Sequence, residues 1–143
     1  MGELTPLVVF LRSNISYRSL ILEEPEAHLH PELQKRLTCA LSRIVTAGIP
    51  VWCTTHSETI FQQVNNLMRL YGHPDRDALM AHYGYEADDL LNPEDVMAYQ
   101  FVVDEQGTRV EPLDKTVDGF AVPSFNNALM RLAEETLAFS RDE

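Results

Sequence analysis

The chain has 143 residues, of which 45% are hydrophobic, and its formal net charge is −11. The length suits one domain with its own core, and no apolar run approaches the roughly 20 residues that a bilayer crossing needs. A module that grips a phosphate backbone usually presents a basic face, so this charge argues against nucleic-acid binding by the chain alone.

The first predicted elements are a short apolar helix over residues 4–11 and a strand over residues 15–22. No basic segment precedes an apolar one at the start, so a secretory signal is not expected. The strand runs from Leu20 directly into two adjacent carboxylates, Glu23 and Glu24, which a proline follows. This pattern is typical of a buried strand that delivers acidic groups at its C-terminal end.

A second strand is predicted over residues 51–54, and a polar segment that contains His56 follows it. A helix over residues 32–47 separates the two strands, so the unit is strand, helix, strand, which should be parallel and right-handed. The carboxyl ends of parallel strands meet at one edge, where ligands bind in open α/β sheets. We therefore expect Glu23, Glu24 and His56 to lie at a shared edge.

Two helices of this unit show a helical period of apolar residues. The first follows Pro31, which suits a first helical position, and ends before Gly48. Ser57 suits the N-cap of the second helix, which is predicted to extend to Leu70. The predicted buried faces comprise Leu33, Leu37, Ala40, Leu41 and Ile44 in the first helix and Ile60, Phe61, Val64, Leu67 and Met68 in the second.

Residues 71–92 are polar, and their pattern indicates no role. The elements predicted beyond residue 70 are a helical patch at residues 77–82, a hairpin of residues 96–104 and 108–113 turned by residues 105–107, and a helix over residues 122–140. The inward face of that last helix is predicted to comprise Leu129, Leu132, Ala133 and Leu137.

Two cysteines bear on the redox compartment. Cys39 falls on a predicted helix and Cys53 in a predicted buried strand, without the spacing of a metal site. Such cysteines are most often reduced core residues, so a cytoplasmic location is expected.

The combined pattern resembles a known family. Residues 23–31 are Glu-Glu-Pro-Glu-Ala-His-Leu-His-Pro, and residues 54–57 are Thr-Thr-His-Ser. These segments resemble the Walker B, D-loop and switch-histidine motifs of ABC-type ATPase heads. The similarity is closest to the overcoming-lysogenisation-defect ATPases and the related AAA-type phage-defence and DNA-repair ATPases.

The resemblance implies an α/β fold, a partial P-loop NTPase with mainly parallel strands flanked by helices and a C-terminal β-hairpin and helix. It also implies a division of the chain. Residues 1–70 would carry the three motifs, residues 71–95 would connect, and residues 96–143 would add the hairpin and terminal helix to the same domain.

The resemblance assigns roles to five residues. Glu23 would hold Mg²⁺ through water, Glu24 would be the general base, and His56 would contact the γ-phosphate. His30 would end the D-loop near the nucleotide. Gly2 would belong to a signature motif inside which the chain starts. The alternatives are that the two acids lie in a solvated loop after a strand and that the first residues are only a helix start.

No Gly-x-x-x-x-Gly-Lys-Ser/Thr phosphate loop, the Walker A motif, occurs in the 143 residues. ATP and Mg²⁺ are therefore expected cofactors only when a complementing Walker A part is present. The resemblance implies a second ATPase head or self-association as partner, DNA contact through a partner or another segment, and no membrane.

Two other functions stay open. One is a degenerate ATPase-like binding or regulatory module that pairs with a partner ATPase or with itself, because an exposed sheet edge invites pairing. The other is a metal-dependent hydrolase, since His28 and His30 form a His-x-His pair that can chelate zinc, although zinc sites normally take three or four protein ligands.

Overall fold

The computed structural model describes residues 8, 9, 12, 19–116, 119–121 and 123–139. The chain divides into two compact units, Met1–Val96 and Met97–Glu143. Residues 8, 9 and 12 are helical, in line with the first predicted helix. The rest of that helix, the start of the first predicted strand, and Gly2 lie outside the described residues.

A small parallel sheet lies at the centre of the first unit. Strand β1 spans Leu20–Glu23 and β2 spans Val51–Thr54. They pair in parallel, with Leu20 opposite Val51 and Glu23 opposite Thr54. Helix α1, Pro31–Thr46, connects them, so the predicted strand–helix–strand unit is confirmed.

The two helices beside this sheet begin and end where their sequences predict. The Nδ1 atom of His30 accepts a hydrogen bond from the Glu32 N–H at 3.4 Å at the start of α1. Gly48 follows the helix with φ +85°, a conformation that glycine adopts without strain. Helix α2 spans Glu58–Tyr71, and the Ser57 hydroxyl caps it by accepting from the Ile60 N–H at 3.2 Å.

The core of the first unit forms between α1, α2 and one face of the sheet. One cluster of buried residues in this core comprises Leu37, Leu41, Ile44 and Ile60. Leu67 and Met68 of α2 are buried as predicted, at 0% and 3% exposure. The partly buried side chains packed against them are Leu20, Leu22, Leu29, Ile49, Val51 and Val64. Leu33 was predicted to belong to this face but is 48% exposed, because in the described residues the covered part of the helix begins one turn later.

No described element covers the opposite face of the sheet, which is called the open sheet face below. Ile21 and Trp52 are cross-strand partners on that face and are 77% and 63% exposed. Cys53 pairs with Leu22 on the face that the helices approach, yet it is exposed, so the prediction that its strand is buried is wrong. Successive strand residues point to opposite faces, and the helices described here cover one face only.

Helix α3, Arg76–Tyr83, lies in the polar segment that follows α2 and buries no residue. Two 3₁₀ turns follow, Ala87–Asp89 and Pro93–Asp95. Between them, Leu90 and Leu91 are buried. The polar segment therefore contains a part that packs closely against the rest of the first unit.

Asp89 ties the first 3₁₀ turn to α1. Its side chain is 2% exposed and accepts hydrogen bonds from Arg43 Nε at 2.6 Å and Nη2 at 3.1 Å. The Glu86 N–H donates to the same carboxylate at 2.8 Å, and the Ser42 hydroxyl donates to the Asp89 carbonyl at 2.7 Å. A buried carboxylate with this many donors is well compensated for its loss of water.

Acid should weaken this contact. Burial by itself raises the pKa of Asp89, but the hydrogen bonds from Arg43 and Glu86 and the charge of Arg43 lower it below its ordinary value. A carboxyl with a depressed folded-state pKa stabilises above its unfolded-state pKa, and this stabilisation is lost as pH falls through the folded-state pKa. Below about pH 4, urea unfolding should therefore show a steeper loss of stability for the native protein than for Asp89→Asn.

The matched control for this pH effect is Asp88→Asn, because Asp88 lies in the same turn and is exposed. This variant should keep the native dependence of unfolding free energy on pH. Identical acid profiles for the native protein and Asp89→Asn would contradict the assignment.

The described residues of the second unit form two antiparallel strand pairs and a helix. Strands β3, Tyr99–Asp104, and β4, Gly107–Pro112, form the predicted hairpin around a turn at residues 105 and 106. Strand β3 begins three residues later than predicted. A further pair, β5 (Lys115–Thr116) and β6 (Gly119–Phe120), was not predicted. Among the described residues, β1–β2 is parallel and the other two strand pairs are antiparallel, so the expected α/β architecture is found with a parallel part of two strands.

Helix α4, Pro123–Phe139, confirms the last predicted helix. Its predicted inward residues Leu132 and Leu137 are 59% and 61% exposed, and Ala133 is exposed too. The expectation that they face inward is wrong because no described element covers them. The Leu129 side chain lies outside the described part. No described helix combines the length and apolar character that crossing a membrane requires.

Candidate functional site

The acidic residues lie where β1 ends. Glu23 is the last residue of the strand and pairs in register with Thr54. Glu24 turns the chain with φ +40°, an uncommon conformation for a residue other than glycine. Its N–H donates to the Thr54 carbonyl at 3.1 Å and to the Thr54 hydroxyl at 3.2 Å. The backbone therefore holds Glu24 at the carboxyl edge of the sheet.

The structure brings His56 to the same edge. Its Nε2 atom lies 3.4 Å from Oε1 of Glu24. The Glu24 side chain is 48% exposed and the His56 side chain 89% exposed, so the contact is open to solvent. Parallel pairing of β1 and β2 places both residues just beyond neighbouring strand ends, as the sequence predicted. An accessible carboxylate beside an imidazole can bind a water molecule and move a proton.

A third acid in this region is buried. Glu26 is 5% exposed, and the Thr55 hydroxyl donates to its Oε1 atom. Its Oε2 atom is also buried and accepts no hydrogen bond from the described residues. Sequence reasoning did not select Glu26 as a site residue, because a glutamate after a proline in a turn is usually exposed to solvent.

Hydrogen bonds join the turn after β1 to the segment after β2. The Ser57 N–H donates to the Thr55 hydroxyl oxygen at 2.9 Å. The Ser57 hydroxyl donates to Gln34 Oε1, and Gln34 Nε2 donates to the Leu29 carbonyl at 2.8 Å. Side chains from α1 and from both loops therefore form one connected network beside Glu24 and His56.

His28 and His30 lie in the turn between β1 and α1. His28 has φ +65°, and His30 caps α1 through the hydrogen bond from Glu32. No group of three or more histidine, cysteine, aspartate or glutamate side chains in the described part of the chain is arranged to hold a metal ion. A zinc site needs at least three such ligands, so the pair has no described third ligand.

Cys53 precedes this network in β2. Desolvation of the thiol raises its pKa, the negative charge of Glu26 raises it further, and the pKa is about 11. The thiol therefore stays protonated at neutral pH and is a poor nucleophile there. Covalent chemistry at this edge of the sheet is not expected from Cys53.

Residues 4–61 match the family model described as "AAA domain, putative AbiEii toxin, Type IV TA system". The match covers β1, α1, β2 and both Glu24 and His56. No curated protein and no solved structure matches the chain. Residues 4–61 are thus similar to an AAA-type ATPase domain, and they make up less than half of the chain.

Proposed function

We propose that this chain is the C-terminal portion of an ATP-hydrolysing ABC-type ATPase head and supplies the acidic and histidine side of the nucleotide site. The observation that carries the proposal is the 3.4 Å contact between Glu24 and His56 at the carboxyl edge of a parallel strand pair. The match of residues 4–61 to an AAA domain model supports it independently.

The proposed roles follow from position. Bound Mg·ATP would supply the reactive phosphoryl group and the metal charge. Phosphoryl transfer needs an aligned water molecule and charge neutralisation more than covalent help. The Glu24 carboxylate orients that water and accepts its proton, and the His56 imidazole donates a hydrogen bond at the same edge. Glu23, one residue earlier, would hold the metal ion through water, which fits the few direct protein ligands that Mg²⁺ takes.

The residues present fit only part of a nucleotide site. Two carboxylates and an imidazole suit water activation and metal binding, but the 143 residues contain no phosphate loop. A phosphate loop provides backbone N–H groups and a lysine for the β- and γ-phosphates. We therefore propose that another polypeptide segment supplies this cradle and that the 143 residues alone do not hydrolyse ATP.

The proposed setting is phage defence or DNA maintenance in the cytoplasm. The description of the matched family names a toxin and a type IV toxin–antitoxin system, which is compatible with phage defence. A second ATPase head is the proposed partner. DNA contact would occur through a partner or another segment, because the net charge of −11 disfavours direct binding by these residues.

Measuring the release of phosphate from Mg·ATP tests the proposed function. The purified 143-residue chain should show no turnover of Mg·ATP above the blank. Turnover should appear when it is combined with, or joined to, the polypeptide of the same locus that carries a Gly-x-x-x-x-Gly-Lys-Ser/Thr loop. Turnover by the chain alone would overturn the requirement for a second segment, and no turnover in any combination would overturn the ATPase proposal.

A binding or regulatory module is the second candidate. The observation that favours it is the open sheet face, where Ile21 and Trp52 together present exposed apolar surface. Large exposed apolar patches on soluble proteins commonly mark interaction sites. If the chain is such a module, the Glu24→Gln variant should bind the partner as tightly as the native chain does, and neither should support ATP turnover. The ATPase proposal instead requires Glu24 for turnover.

A further inference from the structure

Packing alone does not hold His56 in place. Its side chain is 89% exposed, so few neighbouring atoms restrict the imidazole. The contact with Glu24 therefore depends on where the backbone of residues 55–57 lies. A shift of about 1 Å in a catalytic group can cost roughly 100-fold in rate, so whatever fixes this backbone matters for the proposed reaction.

The Thr55 hydroxyl fixes the backbone on both sides of His56. It donates its single proton to Oε1 of Glu26, and its oxygen accepts the Ser57 N–H at 2.9 Å. A hydroxyl has one proton and two lone pairs. Because the Glu26 carboxylate can only accept when ionised, it orients the hydroxyl so that a lone pair faces Ser57.

A second tie runs through α1. The Ser57 hydroxyl donates to Gln34, and Gln34 donates to the Leu29 carbonyl at 2.8 Å. Leu29 in turn bonds back to the acidic turn, since its N–H donates to the Glu26 carbonyl at 2.9 Å. The hydrogen bonds thus form a closed ring that includes the turn after Glu24 and the segment around His56.

Glu26 contributes the orientation of the Thr55 hydroxyl rather than free energy of folding. At 5% exposure, a carboxylate with one oxygen lacking a described donor costs desolvation free energy that a neutral side chain would not. What the carboxylate adds is a strong acceptor that sets the direction of the Thr55 hydroxyl.

We propose that Glu26 is a positioning residue that acts through Thr55 to hold His56 opposite Glu24, so that the two loops at the sheet edge move as one body. The consequence for turnover rests on the proposed ATPase function. The hydrogen-bond ring is a property of the 143-residue chain itself, and it can be measured without nucleotide.

The first experiment compares Thr55→Val with Thr55→Ser in the 143-residue chain. Valine keeps the shape but removes the hydroxyl, and serine retains it. Amide hydrogen exchange of Ser57, followed by NMR, should become at least about tenfold faster in Thr55→Val and stay within about twofold in Thr55→Ser. The imidazole resonances of His56 should shift in Thr55→Val only. Equal exchange and unchanged resonances in both variants would overturn the proposal.

Glu26 variants cover the case in which Thr55→Val does not fold. Glu26→Gln keeps an acceptor oxygen for the Thr55 hydroxyl, so the Ser57 N–H should stay protected. Glu26→Ala removes the acceptor, and protection should fall as in Thr55→Val. Loss of protection in Glu26→Gln and Glu26→Ala alike, with a matching drop in global stability, would show a merely structural residue and would also overturn the proposal.

Turnover separates this proposal from the proposed function. In the combination with a phosphate-loop segment, Thr55→Val should lower kcat by about 100-fold with little change in KM, and Thr55→Ser should restore it. Native kcat in Thr55→Val beside an inactive Glu24→Gln would overturn the positioning role and leave the ATPase intact. If hydrogen exchange confirms the hydrogen-bond ring but no combination hydrolyses ATP, the positioning role of Glu26 is supported and only the proposed ATPase function is lost.

Discussion

Replacing Glu24 with glutamine should abolish ATP turnover by the chain in combination with a phosphate-loop segment. Glutamine has nearly the same size and can still accept a hydrogen bond, but it cannot take a proton from water. General-base catalysis contributes about 100-fold to 10,000-fold, so kcat should fall by at least the lower figure. Phosphate release and single-turnover measurements would report it. Binding of a fluorescent ATP analogue should persist, because the shape of the edge is kept.

The matched control is Glu105→Gln. Glu105 is exposed in the turn between β3 and β4, so the same chemical change there should leave kcat within about twofold, as for most surface substitutions. If Glu24→Gln keeps more than about a tenth of native kcat, Glu24 is not the base. The contact with His56 would then have only a structural or binding role.

Replacing Asp89 with alanine should cost about 3 kcal/mol of unfolding free energy. Breaking a buried ion pair typically costs about 3–5 kcal/mol. The lower end applies here, because the Arg43 side chain is 52% exposed and can regain water. The Glu86 N–H would lose its acceptor as well. Since domains are stable by only about 5–15 kcal/mol, the variant should unfold at much lower urea concentration.

Urea unfolding followed by circular dichroism would measure this loss. Asp88→Ala is the control, because it lies one residue earlier and is exposed, and it should change stability by no more than about 0.5 kcal/mol. A double-mutant cycle with Arg43→Met would isolate the pair. A loss below about 1 kcal/mol for Asp89→Ala would mean that the 3₁₀ turn does not depend on this contact.

The sequence predicts β1, α1, β2 and α2 well because the residues that begin and end these elements act locally. Pro31, Ser57 and Gly48 are capping or terminating residues whose preference depends on a few neighbouring backbone groups. The meeting of Glu24 and His56 follows from one topological rule, that parallel strands end at one edge of the sheet. Both kinds of inference need only the order of residues along the chain.

Long-range contacts explain what was not predicted. The hydrogen bond between Thr55 and the buried Glu26 spans twenty-nine residues, and the Arg43–Asp89 pair spans forty-six. No periodicity indicates either contact. Strands of two residues, such as β5 and β6, are too short to show alternation at all.

Burial was the least predictable property for a related reason. A helical period shows that Ala133 and Leu137 share a face, but whether that face is covered depends on which other elements reach it. Cys53 in β2 shows the same limit, because it shares a sheet face with Val51, which packs against the core, and is nevertheless exposed. Apolar periodicity identifies a surface that favours contact and does not identify what supplies the contact.

The open sheet face also gives the molecule its own optical reporter. Trp52 is the sole tryptophan of the chain, and the residue is 63% exposed opposite Ile21. Any molecule that covers this face would exclude water from the indole and shift the tryptophan emission to shorter wavelength. The binding could therefore be followed without an added label. Docking on this surface would therefore be visible in intrinsic fluorescence.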